Sequence, residues 1–301
     1  MNGKVPNNPP IDHHYIPVFY LKRWALTSGR LCEFKFRFSS IRPKWRFPKA
    51  TGYQQYLYTM QGFPPELSQQ YEQKFFSGID DLASKSLALM EQRWTADTWT
   101  PETRSSWSRF ILSVLLRQPE SIERLRRVWF EQLLEDSEIN RAIYEKYRRE
   151  ADPESYVEFA SNMEITAIEQ GMFKLLRNTI DNPVVGPKIN DMLWRVRELP
   201  NAKNELLTSD RPVIRPSNLM RKDAHIVVPI GPRRLFIATS HSETMEQLMD
   251  LSDTQFANEA NRFVVSNARR LVFAASTGQS AFIAKHFATK QRPDYMISSF
   301  D

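Results

Sequence analysis

Cysteine is nearly absent from this 301-residue chain. Cys32 is the only one, so an intramolecular disulfide and any zinc or iron–sulfur site built on several cysteines are excluded within one copy. Glycine is scarce as well: there are 9, and the two nearest in sequence, Gly52 and Gly62, lie ten residues apart. Loops that cradle a phosphate on backbone N–H groups, of the GxGxxG or GxxxxGK type, need glycines two to five residues apart. The strained GxSxG turn that carries the nucleophile of many serine hydrolases needs two glycines four apart. None of these patterns exists here. Long apolar runs are also missing. The mean hydropathy is −0.50, and no stretch approaches the roughly 18 apolar residues of a membrane span. The opening MNGKVPNNPP has no apolar core of a secretory signal, so the expectation is a soluble, cytoplasmic protein.

What is present is ordinary for a folded chain: 41% hydrophobic and 25% charged residues. The charge is unevenly placed. Residues 1–60 hold ten Lys or Arg against Asp12 and Glu33, a net +8, while the other 241 residues net −2. Aromatic residues interleave with these cations. A cationic surface with stacking rings is the footprint of nucleic acid or another phosphate-rich ligand. Within it, CEFKFRFS alternates as a half-buried strand with Phe34, Phe36 and Phe38 on one side. RPKWRFPK, flanked by prolines and without a clean period, reads as a loop presenting Lys44, Trp45 and Arg46 as ligand contacts. Glu33 and Lys35 share one strand face, as in metal-dependent nucleases, with Asp12 as the upstream carboxylate.

Helical periodicity dominates after residue 63. Pro64-Pro65 opens a helix whose Leu67, Tyr71, Phe75, Ile79, Leu82 and Leu89 fall on one face. Thr100-Pro101-Glu102 caps a second, which Pro119 ends. A third spans about 120–149, with a break at Asp136-Ser137, and a fourth runs from Asp152-Pro153 toward Asn178. NPVVGP reads as a linker. MLWRVREL, ELLTSDRPVI, AHIVVPI, RRLFIATS and LVFAA are strand-like, and a capped helix starts at Ser252, with a short closing helix near 278–288. This order predicts an α+β fold: a predominantly helical middle and a small, mostly antiparallel sheet built from N- and C-terminal segments, in a single compact domain over 1–301.

DHHYIPVFYLKRWA, LLTSDRPVI and IVVPIGP together resemble a microbial family catalogued as domain of unknown function 4238. The matching positions are His13, His14, Pro17, Tyr20 and Leu21; Tyr56 or Tyr58; Glu72; Arg117 and Pro119; and Thr208, Ser209, Asp210 and Pro212. Pro229 and Asn261 match more loosely, and Arg211 departs from the family's usual small amide. The resemblance implies a shared fold and brings no activity with it.

These positions supply the candidate chemistry. His13 and His14 are adjacent, so their side chains diverge and one metal is not expected to take both; whether a divalent metal joins the site stays open. Glu72 borders a buried helix face, and Arg117 lies at the edge of another, either as mutual partners or with Arg117 holding an anionic group. Asp210 sits at a strand end, as a backbone cap or as a catalytic carboxylate. The expected function is binding or hydrolysis of a phosphate-rich ligand such as nucleic acid, with His13, His14, Glu72 and Asp210 as acid, base or ligand groups and Arg117 stabilising charge. The alternative is a non-catalytic, nucleic-acid-associated or defence-related binding module whose motifs determine the fold.

Overall fold

The computed structural model describes residues 11–37, 40–92, 99–215, 218–219 and 221–287; Lys4 and Phe38 and the side chains of Phe36 and Arg37 lie outside that description. The fold is α+β, with a helical middle and small antiparallel sheets. Among the described residues no helix is long and apolar enough to cross a membrane.

The N-terminal motif is short and tightly tied down. β1 (Asp12–His14) pairs antiparallel with β4 (Tyr53–Gln55), in register Asp12 to Gln55. The turn residue Gly52 has φ +70°, and its carbonyl takes the N–H groups of Tyr15 and Ile16 at 3.0 and 3.1 Å. α1 (Val18–Leu21) starts after Pro17, whose extended backbone presets the first turn. Tyr20 donates its hydroxyl to the Pro229 carbonyl at 2.7 Å and shares a 2.8 Å hydrogen bond with Thr208, while Trp24 donates to the Leu206 carbonyl. The N-terminal and Thr-Ser-Asp motifs, almost two hundred residues apart, are therefore one buried seam.

β2 (Leu31–Arg37) and β3 (Ser40–Arg46) form a hairpin at the edge of a sheet ordered β3-β2-β9-β6, with β6 (Thr208–Ser209) and β9 (Leu271–Ala274). RPKWRFPK is thus largely strand rather than loop. Proline misleads there because Pro43 lies on an edge strand, where a missing N–H costs least. Alternation splits the hairpin cleanly. Cys32 and Phe34 pack into a small core with Val265, Val272 and Ile283, and the opposite face carries Glu33 and Lys35 beside Lys44 and Arg42.

The helical middle begins with α2 (Pro65–Ser68), a π-helical turn over Tyr71–Phe76, and α3 (Ser77–Glu91). The π turn inserts a residue and rotates the helix beyond it. The buried stripe therefore runs Phe76, Ile79, Ala83, Leu87 and Met90, and Leu82, expected inside, is exposed; Leu67, also expected inside, lies in α2 before the turn and is exposed too. α4 (Pro101–Leu116) has the Thr100 cap, and α5 (Pro119–Leu134) and α6 (Glu138–Tyr147) flank the predicted break at 136–137. The fourth predicted helix is two, α7 (Tyr156–Ser161) and α8 (Ile165–Ile180), separated at Asn162–Glu164. Gly171 lets α8 approach α5, since a Cβ there would run into the Trp129 ring. NPVVGP, read as a linker, contributes to α9 (Val185–Asn190), nucleated by the Asn182 side chain accepting from the N–H groups of Val184 and Val185 at 2.9 Å.

A second sheet, β5-β8-β7, comprises β5 (Leu193–Glu198), β7 (His225–Gly231) and β8 (Arg234–Thr239). Phe236 and Ala238 of β8 enter the main core against the helices, and Leu235 and Ile237 enter a second core. That second core lies under α10 (Ser242–Asp250) and α11 (Asp253–Asn267), the latter opened by a Ser252–Gln255 capping box. ELLTSDRPVI is mostly irregular; Thr208–Ser209 pair as strand, and Ile214 makes a single antiparallel bridge to Val227. α12 (Ser280–His286) closes the described chain.

Candidate functional site

A polar cluster forms where β1, the π turn, α3 and the corner between α4 and α5 meet. Its centre is Arg117. Pro119 forces Gln118 into extended backbone and ends α4 at Leu116, so Arg117 is fixed as its C-cap, with its N–H on the Ser113 carbonyl at 2.9 Å. Its carbonyl accepts the Tyr58 hydroxyl at 2.7 Å. The guanidinium is fully buried. It donates from Nη1 to Asp80 Oδ1 at 3.0 Å and lies 5.8 Å from the centre of the Phe76 ring. Its Nε and Nη2 have no partner among the described protein groups.

Glu72 is carried by the π turn. The turn bends because the Glu72 carbonyl accepts both the N–H and, at 2.8 Å, the hydroxyl of Ser77. The Glu72 carboxyl is bonded by the backbone of His14, and burial pushes its pKa up to about 7 against the opposing pull of Arg117. Asp80, which no sequence signal singles out, is pushed up to about 6, again by burial first and against Arg117. Its side chain is 23% exposed. His14 is lowered from the usual histidine value by burial; a hydrogen bond to the Lys49 backbone opposes this and the Arg117 charge adds to it. The ring is therefore neutral near pH 7, and its Nε2 is also without a partner among the described groups, as is Glu72 Oε2. Buried polar atoms usually find partners, and each that does not costs about 1–3 kcal/mol. Four of them share this one cluster.

His14, Glu72 and Arg117 are thus brought together, with Asp80 added. The direct ion pair of Arg117 is with Asp80, two helical turns beyond Glu72, and not with Glu72 as the simple pairing would have it. Of the two tyrosines, Tyr58 is buried beside this cluster, whereas Tyr56 has φ 58° and is exposed. His13 is completely buried; its Nδ1 accepts the Tyr58 N–H at 2.8 Å and its ring stacks on Tyr58. It positions the strand that carries His14.

Asp210 works elsewhere. Its carboxylate accepts the N–H groups of Arg269, Arg270 and Leu271 at 2.9, 2.5 and 3.3 Å, capping the turn between α11 and β9. Burial raises its pKa to about 6, and the charges acting on it are those of Glu120 and Arg211. This is the backbone-capping alternative, and among the described residues no contact joins Asp210 to Arg117, Glu72 or His14.

The cationic N-terminal segment is partly neutralised. Arg23 pairs with Glu91 at 2.5 Å, Arg30 stacks over Phe47, and Arg46 lies 3.9 Å from Glu33, which also accepts the Thr51 hydroxyl. Glu33 is thereby committed to these neighbours. Lys44 is exposed beside Arg42, but Trp45, 41% exposed, projects from the opposite face of β3. Among the described residues no three His, Cys, Asp or Glu side chains gather as metal ligands.

The family model described as Protein of unknown function (DUF4238) matches residues 12–278. No curated protein and no solved structure matches the chain. The matched span contains β1 through β9 and every residue of the Arg117 cluster, and the chain belongs to the DUF4238 family.

Proposed function

We propose that this DUF4238 protein binds a phosphate-bearing ligand at the His14–Glu72–Asp80–Arg117 cluster and hydrolyses it. The supporting observation is the buried Arg117, two of whose donor nitrogens have no protein partner among the described groups, beside a carboxyl that titrates near neutrality. A guanidinium is the side chain best suited to two oxygens of one phosphate. An acid with a pKa near the working pH transfers protons most effectively. In this reading His14 Nε2 takes a proton from the attacking water, the new phosphorus–oxygen bond forms as the bond from phosphorus to the leaving oxygen breaks, and protonated Glu72 delivers its proton to that leaving oxygen. Asp80, partly open to solvent, gives way as the phosphate reaches Arg117. Isothermal titration with inorganic phosphate, and turnover of a chromogenic phosphate ester with and without chelator or added divalent ions, test this. Arg117→Met is expected to weaken phosphate binding at least about tenfold, the equivalent of one charge-assisted hydrogen bond. Absence of both binding and turnover in the folded wild-type protein rejects the proposal.

One observation favours the second reading, a nucleic-acid-binding module. The hairpin register aligns Lys35, Arg42, Lys44 and Arg46 on a single face of an edge pair. If these touch phosphates, Lys44→Ala with Arg46→Ala weakens single-stranded DNA or RNA binding equally for all sequences and flattens its salt dependence by about two counterion-release slopes. Filter binding at low and physiological salt measures this; no retention at low salt removes the reading.

A further inference from the structure

The Arg117 site and the cationic hairpin meet at Lys49. β3 ends at Arg46, and the chain runs on through Phe47 and Pro48 to Lys49. The backbone of Lys49 is hydrogen-bonded to His14. The bonded nitrogen is Nδ1, donating to the Lys49 carbonyl, because Nε2 has no partner among the described groups. That bond fixes the ring proton on Nδ1 and leaves Nε2 as the acceptor. Three residues span at most about 10–11 Å, so the end of β3 lies within that distance of the group that holds His14. A second tie joins the two parts. Glu33 of β2 accepts the hydroxyl of Thr51, one residue before Gly52 and the strand that pairs with β1. Arg42, Lys44 and Arg46 fall on one face of β3, recurring about every 7 Å. Arg42 and Lys44 are exposed, and Arg46 has Glu33 at 3.9 Å. Where this line reaches the site, Tyr53 is half-buried, its ring centre 5.5 Å from that of His14. A row of cations suits successive phosphates, and a ring beside the site suits a base.

Burial decides which phosphate of such a ligand the site can take. The Arg117 side chain is 0% exposed, and its partner Asp80 is 23% exposed. Nε and Nη2 of Arg117, Nε2 of His14 and Oε2 of Glu72 are all covered. An internal phosphodiester carries a sugar on both sides and would have to bring both into this space. A terminal phosphate has one ester oxygen and three free ones, and it enters alone. We infer that the substrate of this site is the terminal phosphate of a nucleic-acid strand, whose following phosphates lie along Arg46, Lys44 and Arg42. This rests on the Arg117 cluster being the phosphate-hydrolysing site proposed above. Water attacks the terminal phosphorus and gives a proton to His14. The bond from phosphorus to the terminal sugar oxygen breaks, and that oxygen takes the Glu72 proton. The products are inorganic phosphate and a strand ending in a hydroxyl, with no internal bond cut and no electrons transferred. His14 and Glu72 return to their starting states by proton exchange with solvent.

Phosphate release by the full chain tests this on p-nitrophenyl phosphate, on a single-stranded oligodeoxynucleotide phosphorylated at its 5′ or its 3′ end, and on the same oligonucleotide circularised, which has internal phosphates alone. One of the two linear forms is expected to be used with a kcat/KM at least about tenfold above that of the small ester at low salt, an advantage that fades toward physiological salt. The circle is expected to stay intact. Arg42→Ala combined with Lys44→Ala, both at exposed positions, is expected to lower the ratio of oligonucleotide to small-ester kcat/KM at least about tenfold. It should also flatten the logarithmic salt slope for the oligonucleotide by about 1.4, at about 0.7 for each single-strand phosphate contact. Circular dichroism of the double variant checks its fold, and the salt dependence of the wild type gives an answer that needs no variant. Cleavage of the circle, no preference for the oligonucleotide at low salt, or a folded double variant with the wild-type ratio overturns the inference while leaving a phosphate-hydrolysing site in place. So does faster release from a phosphoserine peptide than from the oligonucleotide. No release from any substrate overturns it too, and absence of inorganic phosphate binding besides rejects the site itself.

Discussion

Replacing Glu72 by glutamine is expected to stabilise this protein at pH 8 and to leave it unchanged at pH 5. The carboxyl's pKa is about 7 in the fold, against 4.5 for the group in an unfolded chain. Between those values the folded state holds a proton that the unfolded state has released. Stability contributed by this group is therefore complete below about pH 4.5 and is lost as pH rises through 7, with no further change above. Glutamine has the shape of the protonated acid and no such dependence. The shift corresponds to on the order of 2–3 kcal/mol once partial exposure is discounted. The wild-type curve alone would not isolate this. Asp80 and Asp210, both raised to about 6, slope the same way. His14, lowered by burial, slopes the opposite way, its share of stability appearing only as pH rises through the ordinary histidine range. The difference between wild type and Glu72→Gln cancels the contributions of His14 and Asp210, and retains that of Asp80 only as far as its charge acts on Glu72. Urea denaturation at pH 5, 6, 7 and 8 measures it, and a variant less stable than wild type at pH 8 would show that Glu72 is ionised and well paired in the fold. Stabilisation combined with loss of turnover is the pattern of a residue kept for function at the expense of stability.

Why Glu72 could be singled out from sequence and Asp80 could not is a matter of the π turn. Up to Tyr71 and Phe75 the apolar period places Glu72 beside the buried stripe, and that much is local information. The extra residue in the turn then advances the helix, so that Asp80 faces Arg117 and Leu82 turns to solvent. Nothing in the spacing marks a π turn, because it is fixed by Ser77 bonding back to Glu72 and by the packing of Phe76 on Tyr58. The same holds for the hairpin. Alternation correctly placed Cys32 and Phe34 inward, but the prolines of RPKWRFPK concealed an edge strand whose partner is supplied by β2. That strand then separates Trp45 from Lys44 and Arg46. Strong local signals survived intact: the Thr100 and Ser252 caps, the break at 136–137, and the two long apolar strands β7 and β8. The seam between Tyr20, Thr208 and Pro229 was visible only as co-occurring motifs, since no local rule relates residues nearly two hundred positions apart.

Asp210→Ala is expected to be among the most destabilising single substitutions in this protein, by about 3–5 kcal/mol, because three backbone N–H groups lose their acceptor together. The damage would spread through the turn they belong to. Arg270 leaves that turn to bond Glu120 at 2.6 Å and Gln54 at 2.9 Å, so the cap also holds α5 and β4 in place. Gln54 pairs with His13 in the two-stranded sheet, one residue from His14. Asp210→Asn keeps one acceptor oxygen but turns an NH2 toward the remaining donors, and is expected to lose about half as much. A carboxylate that served catalysis alone would behave in the opposite manner: both substitutions would abolish turnover and shift stability by less than about 0.5 kcal/mol, as usual away from buried networks. Chemical denaturation of the two variants at pH 7, with phosphate affinity measured on Asp210→Asn where it is still folded, separates these outcomes. Large destabilisation with affinity retained assigns Asp210 to the seam that supports the site, and unchanged stability with lost turnover would move it into the chemistry.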